Sequence, residues 1–192
     1  KNESDVLSNP KQNHSLNVGI NLKKMRKVIF IITLALSYAV NVNGQNLVFI
    51  GENSYQSTET FTLQSNSDDD YITDLNLLFA KDGEKGLLVV SSKLVSTVRI
   101  SGKLIIYLDD GTVITCIDSS IKDNVDDIAT SAYYLTNEEL NKLKKSNINT
   151  IRYIIKCAEC YVNPIYEGNY SASNKGSSKT DFTKVVTEFY KE

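Results

Sequence analysis

ISGKLIIYLDDGTVITCI, running from Ile100 to Ile117, is two apolar runs joined by Asp109-Asp110-Gly111. Branched and aromatic side chains fit a pleated, packed surface, so both runs read as strands. Asp-Gly between them predicts a two-residue type I′ turn over Asp110-Gly111, because both central residues of that turn need positive φ. That register sets Leu108 opposite Val113, Tyr107 opposite Ile114 and Ile105 opposite Cys116. One face then carries Leu104, Ile106, Leu108, Val113 and Ile117; the other carries Ile105, Tyr107, Ile114 and Cys116. Two apolar faces imply a central hairpin covered on both sides.

Upstream, Leu75, Leu77 and Phe79 alternate, and Leu87 to Val90 is continuously apolar, with a hairpin-like Lys81-Asp82-Gly83-Glu84-Lys85-Gly86 between them. Leu47–Ile50 and Thr58–Leu63 read as shorter strands, and Ser65 to Asp70 as a polar loop. Downstream, Ser131–Leu135 is a strand candidate that leads into a helix over about 136–146. Thr136 is its N-cap and Glu139 completes a capping box, while Leu135 and Leu140 occupy hydrophobic-staple positions. Lys142, Lys144 and Lys145 suit the negative end of the helix dipole, and Asn147 can end the helix. Ile148–Cys157 is a strand with Ile151, Tyr153, Ile155 and Cys157 on one face. Arg152 and Lys156 lie on the other, which implies either an edge strand or a solvated face. Glu167 to Gly176 is rich in Ser, Asn and Gly and reads as a loop. Phe182, Val185, Val186 and Phe189 then mark an amphipathic helix over about 181–191. The fold class is α+β: a mostly antiparallel sheet or sandwich-like core with two packed helices.

The Asp-Gly hairpin, followed by Tyr134-Leu135-Thr136-Asn137-Glu138-Glu139-Leu140 and Ile148-Asn149-Thr150-Ile151-Arg152, resembles a set of small secreted bacterial proteins of unknown function. In these a "dG" hairpin precedes an "LTxEqLxxL…ItkIRi" helix–strand unit. The likeness covers about Ile100 to Ile155. It implies an architecture and brings no catalytic residues with it.

Further toward the start, Lys23, Lys24, Arg26 and Lys27 precede an apolar run from Val28 to Val42, and Asn43-Gly44-Gln45 follows. This reads as a signal peptide over 25–44, cleaved after Gly44 or after Ala39. Fifteen apolar positions fall short of the roughly 20 that a spanning helix needs, so no permanent membrane anchor is expected. Residues 1–24 read as an upstream segment. The remaining 45–192 would be a single secreted or periplasmic domain of 148 residues. With 15 Lys+Arg against 21 Asp+Glu it carries a net charge of −6, which argues against nucleic acid as a partner. The sequence does not identify the partner; a protein and a glycan are both compatible with it.

His14, the sole histidine, would leave with the leader, and this excludes a Ser-His-Asp triad in the exported domain. Cys116, Cys157 and Cys160 remain. In an oxidising compartment Cys116 could pair with Cys157 across the core, or Cys157 with Cys160 locally. No cofactor site or metal site is expected: two thiols are too few for zinc, and Asp68-Asp69-Asp70 with Asp74 lacks a calcium-loop spacing. Asp118, Asp123, Asp126 and Asp127 read as a polar connection, although a carboxylate pair among them could serve glycoside hydrolysis. Ser92-Lys93 and Ser178-Lys179 are adjacent candidates for a Ser-Lys dyad. Tyr133, Tyr134, Tyr153, Tyr161, Tyr166 and Tyr170 crowd the second half, as half-buried sheet residues or as a binding surface. The leading expectation is a non-catalytic binding or accessory domain. The alternatives are a histidine-free carbohydrate-active enzyme, and an inhibitor or assembly factor acting through a sheet edge.

Overall fold

A computed structural model describes residues 46–94, 98–157, 167–176 and 179–191. They form an antiparallel sheet that curls into a half-barrel, with two helices packed on it, so the α+β expectation holds. The strands are β1 (Asn46–Ile50), β2 (Asn53–Ser57), β3 (Phe61–Ser65), β4 (Leu75–Asp82), β5 (Lys85–Lys93), β6 (Val98–Ile100), β7 (Leu104–Leu108), β8 (Val113–Cys116), β9 (Ile121–Val125), β10 (Ile128–Leu135), β11 (Ile148–Cys157) and β12 (Gly168–Ser173). The helices are α1 (Asn137–Lys145) and α2 (Phe182–Phe189). Spatial order is β8-β7-β11-β12-β3-β4-β5-β10-β9, with β1–β2 attached beside β4, and β6 beside β11.

The Leu87–Val90 run is continuous because both faces of β5 are covered. Leu88 and Val90 point into the main core with Phe79, Tyr133 and Phe182, whereas Leu87 and Val89 lie under the β1–β2 hairpin with Ile50, Tyr55 and Ala132. The staple and capping box at α1 form as the sequence predicts: Glu139 N–H donates to Thr136 Oγ1 at 3.2 Å, and Thr136 N–H to Glu139 Oε2 at 2.7 Å. Ser146, not Asn147, caps the C-terminus. Asn147 instead turns toward α2, where its Oδ1 accepts Phe182 N–H at 2.9 Å and its Nδ2 donates to Thr180 O at 3.0 Å. Asn174, buried beside it, donates to Ile148 O (2.9 Å) and Thr180 O (2.8 Å), and accepts Thr180 N–H (2.9 Å). This two-amide clasp fixes the entry into α2, whose Phe182 and Val186 are buried.

The decisive hairpin is real, but its register differs by one residue. Tyr107 pairs with Val113, Ile106 with Ile114 and Leu104 with Cys116. Gly111 alone takes positive φ (84°), and its N–H donates to Leu108 O at 3.0 Å. That is a three-residue loop, a type I turn closed by a left-handed glycine, rather than a type I′ pair. A one-residue slip exchanges faces. Ile114 and Cys116 therefore join Leu104, Ile106 and Leu108 in the core, and Val113 and Ile117 are exposed. β8 ends the sheet order and Tyr107 is exposed, so the hairpin is terminal with one solvated face, not central. The type I′ pair lies elsewhere: Asp126 (φ 54°) and Asp127 (φ 64°) join β9 to β10.

β9 lies inside the acidic stretch, and β12 inside the Ser/Asn/Gly segment expected to be a loop. β11 is paired on both sides, so Arg152 and Lys156 mark a solvated face and not an edge. The half-barrel is tied by side chains where its ends approach. Ser131 Oγ donates to Ile100 O at 3.0 Å and Asn124 Nδ2 to Val98 O at 3.2 Å. Residues 1–45, on which the signal-peptide reading falls, lie outside the described residues.

Candidate functional site

Four carboxylates of the acidic stretches, Asp69, Asp74, Asp118 and Asp123, are held by hydrogen bonds. Asp118 Oδ2 accepts from Gly102 N–H (2.8 Å) and Lys122 Nζ (2.7 Å), and its Oδ1 from Ser120 N–H (2.9 Å). Burial alone would raise its pKa, but Lys122 and the two N–H donors outweigh burial and hold the carboxyl below its ordinary value. Asp123 accepts Gly51 N–H at 2.8 Å, and Asp126 and Asp127 form the turn. Asp74 accepts Ser65 N–H at 2.8 Å and Asp69 accepts Tyr71 N–H at 3.0 Å, each bracing its own loop. Among the described residues no cluster of three or more His, Cys, Asp or Glu side chains could hold a metal ion.

Ser92 is buried and bonds Thr73 Oγ1 at 3.0 Å, while Lys93, next along the strand, is exposed. Neighbouring strand residues face opposite ways, so the two form no dyad. Lys179 pairs with Asp109 at 3.4 Å, and Ser178 lies outside the described residues. Cys116 is buried and free, so it does not pair with Cys157. Burial, with a smaller contribution from Glu139, pushes its thiol up to about 12. Cys157 is disulfide-bonded, and Cys160 lies outside the described residues. Tyr133 and Tyr153 are core residues whose hydroxyls find no hydrogen-bond partner among the described residues. Tyr170 packs beside Tyr153, with ring centroids 6.2 Å apart. Tyr134 is part exposed and donates to Asp82 Oδ2 at 2.7 Å. Tyr161 and Tyr166 lie outside the described residues.

Two concave or charged regions stand apart from these local bonds. The first is an open cleft of about 690 Å³ between the β4–β5 turn, α1 and the residues after α2. Two of its three lysines, Lys81 and Lys144, are already engaged. Lys81 Nζ sits 5.0 Å above the Phe189 ring and 5.7 Å from that of Tyr190, and Lys144 Nζ meets Tyr190 O at 3.5 Å. They pack the C-terminal helix.

The second is the outer face of β6, β7, β11 and β12. Strand alternation sends Ile151, Tyr153 and Ile155 inward, and leaves Arg152 and Lys156 outside. The β6 ladder sets Arg99 directly opposite Lys156. The other ladders set Arg152 between Ile105 and Ser171, Ile154 beside Asn169, and Thr150 between Tyr107 and Ser173. Lys103 and Arg152 share a hollow of about 160 Å³ with Ile105, Ile154 and Asn169. Arg99 lines a neighbouring hollow of about 180 Å³ with Lys122, Asp123 and Asn124. The acids at its margin are used elsewhere: Asp118 and Asp123 as above, and Glu167 by Cys157 N–H at 2.7 Å.

Among the described residues, ion pairs join Lys122 to Asp118, Lys142 to Glu138 and Lys179 to Asp109; Arg99, Lys103, Arg152 and Lys156 belong to none. Like charges directly opposite across a ladder cost stability, up to about 1 kcal/mol. Four unpaired cations on one face of a domain with net charge −6 therefore concentrate positive potential against the overall balance. The sequence singled out Arg152 and Lys156 only as marks of a solvated face. The ladder that brings Arg99 to Lys156 joins residues far apart in the chain, and no local signal announces it. Compared with known proteins, the chain matches no family model, no curated protein and no solved structure.

Proposed function

We propose that residues 45–192 form an exported, non-catalytic binding domain that holds an anionic ligand on the outer face of β6, β7, β11 and β12. The observation that carries this reading is the Arg99–Lys156 register with Lys103 and Arg152 beside it, four cations that no described carboxylate neutralises. The ladders fix the backbone beneath Arg99, Arg152 and Lys156, so an anionic ligand has side chains and no backbone to order there. Export rests on the leader read at 25–44 and on the likeness to small secreted proteins. It agrees with Cys157 being disulfide-bonded, for which Cys160 is the partner the reading assigns.

The test titrates the exported protein with polyacrylate, a plain soluble polycarboxylate, and maps protection by hydrogen exchange. Salt-sensitive binding with slowed exchange over 98–107 and 148–156 is the expected result. Protection confined to the cleft beside α1, or no binding at low salt, would overturn the reading.

A further inference from the structure

We infer that the ligand of this face is a carboxylate-bearing polysaccharide, a polyuronate, with Arg152 and Lys103 holding one carboxylate and Lys156 with Arg99 a second. The inference rests on the anion-binding reading above and names its ligand class. A guanidinium grips a carboxylate through two parallel N–H donors, and Lys103 beside Arg152 in the same hollow adds a point charge. Arg152 and Lys156 are four residues apart on β11, about 13 Å along the strand. Two anchoring points so spaced suit a polymer with one carboxylate per sugar ring.

The groups between the cations decide between a sugar and a peptide. Ser171 flanks Arg152, and Asn169 flanks Ile154. Hydroxyl and amide side chains both donate and accept, as sugar hydroxyls require. Ile105, Ile154 and Tyr107 supply short apolar contacts for the C–H face of a ring. The main-chain groups of β7 and β11 are not on offer, because β11 is laddered on both sides and β7 lies between β11 and β8. A peptide laid over this face would leave its own N–H and C=O groups without the main-chain partners that strand-addition sites provide.

The experiment compares polygalacturonate, fully methyl-esterified polygalacturonate, neutral pullulan and poly-L-glutamate by affinity electrophoresis and calorimetry, using the whole exported protein. Polygalacturonate should bind, the ester and pullulan should not, and polyglutamate should bind at least tenfold more weakly. Arg152→Gln and Lys103→Gln, both at exposed positions, should each weaken polygalacturonate binding by about tenfold or more without shifting the melt. Lys144→Gln, in the cleft beside α1, should leave binding unchanged. Polyglutamate binding as tight as polygalacturonate would overturn the polysaccharide class and leave the anion-binding face standing. Polygalacturonate binding that survives Arg152→Gln and Lys103→Gln would overturn this placement. No binding to any of the four, with polyacrylate also inert, would overturn both readings.

Discussion

Replacing Asn174 by Ala should loosen α2 from the sheet. Asn174 is buried, and its amide makes three bonds: to Ile148 O, Thr180 O and Thr180 N–H. Thr180 O keeps a second donor in Asn147 Nδ2. Truncation therefore leaves Ile148 C=O and Thr180 N–H short of a partner, at about 1–3 kcal/mol each, so a loss of about 2–4 kcal/mol is expected. At about 2–4 °C per kcal/mol for a domain of this size, Tm should fall by roughly 5–15 °C. Urea unfolding followed by circular dichroism gives the free energy directly. Asn174→Asp separates hydrogen bonding from mere space-filling. A carboxylate is isosteric, keeps the acceptor for Thr180 N–H, and loses both donations while facing two carbonyl oxygens. It should be worse than Ala at neutral pH and recover as pH falls, because a buried carboxyl with raised pKa destabilises only while ionised. An Asp variant as stable as the native protein, or an Ala variant within about 0.5 kcal/mol of it, would refute the clasp.

Tyr153→Phe should be neutral or stabilising by up to about 1 kcal/mol, since it removes a buried hydroxyl with no partner; a clear loss in urea unfolding would mean that the hydroxyl is bonded. Asp118→Asn should cost about 1–2 kcal/mol near neutral pH through the weakened ties to Gly102, Ser120 and Lys122. Asp118's folded pKa is depressed, so its contribution is present above the unfolded value near 3.9 and is lost as pH falls through the folded one. Native and variant denaturation curves should therefore converge below about pH 4, and a constant offset across the pH range would contradict this assignment. Iodoacetamide at pH 8 should leave the native protein unmodified, because Cys116 is buried and its thiol is pushed up to about 12. In denaturant without reductant one thiol should label; three would sink the Cys157–Cys160 pairing.

Elements whose stability is local were legible in the chain. The start of α1 lies within six consecutive residues, Leu135 to Leu140: the capping box forms as read, and Leu135 and Leu140 join the same core. Leu87–Val90 announced its double burial because no solvated position interrupts it. β9 and β12 were not legible because packing neighbours, and not their own composition, hold them in the sheet. β12 buries only Ala172, and β9 buries none of its five residues fully. The hairpin register failed on a true ambiguity. Asp109-Asp110-Gly111 satisfies a two-residue type I′ loop and a three-residue loop ending on a left-handed glycine, and only core packing of Ile114 and Cys116 selects the second.

The candidate site failed to show for a related reason, and net charge was the misleading clue. A charge of −6 describes the far field of the domain, whereas recognition is decided within about a Debye length, near 8 Å at physiological salt. The acids that set the total are spread over turns and seams, and eight of the 21 bond backbone N–H groups: Asp69, Asp74, Asp110, Asp118, Asp123, Glu139, Glu167 and Asp181. A carboxylate held by two or three donors has part of its field cancelled where it stands. Arg99, Arg152 and Lys156 project from strands and Lys103 stands just before β7, and all four side chains are exposed. A mildly acidic protein can thus present a positive face, provided its anions serve the fold and its cations do not. This asymmetry predicts that neutralising Asp69 or Asp110 perturbs stability and leaves polyanion affinity nearly unchanged, whereas neutralising Arg152 does the reverse; titration and melting of the same three variants would expose any crossing of the two effects.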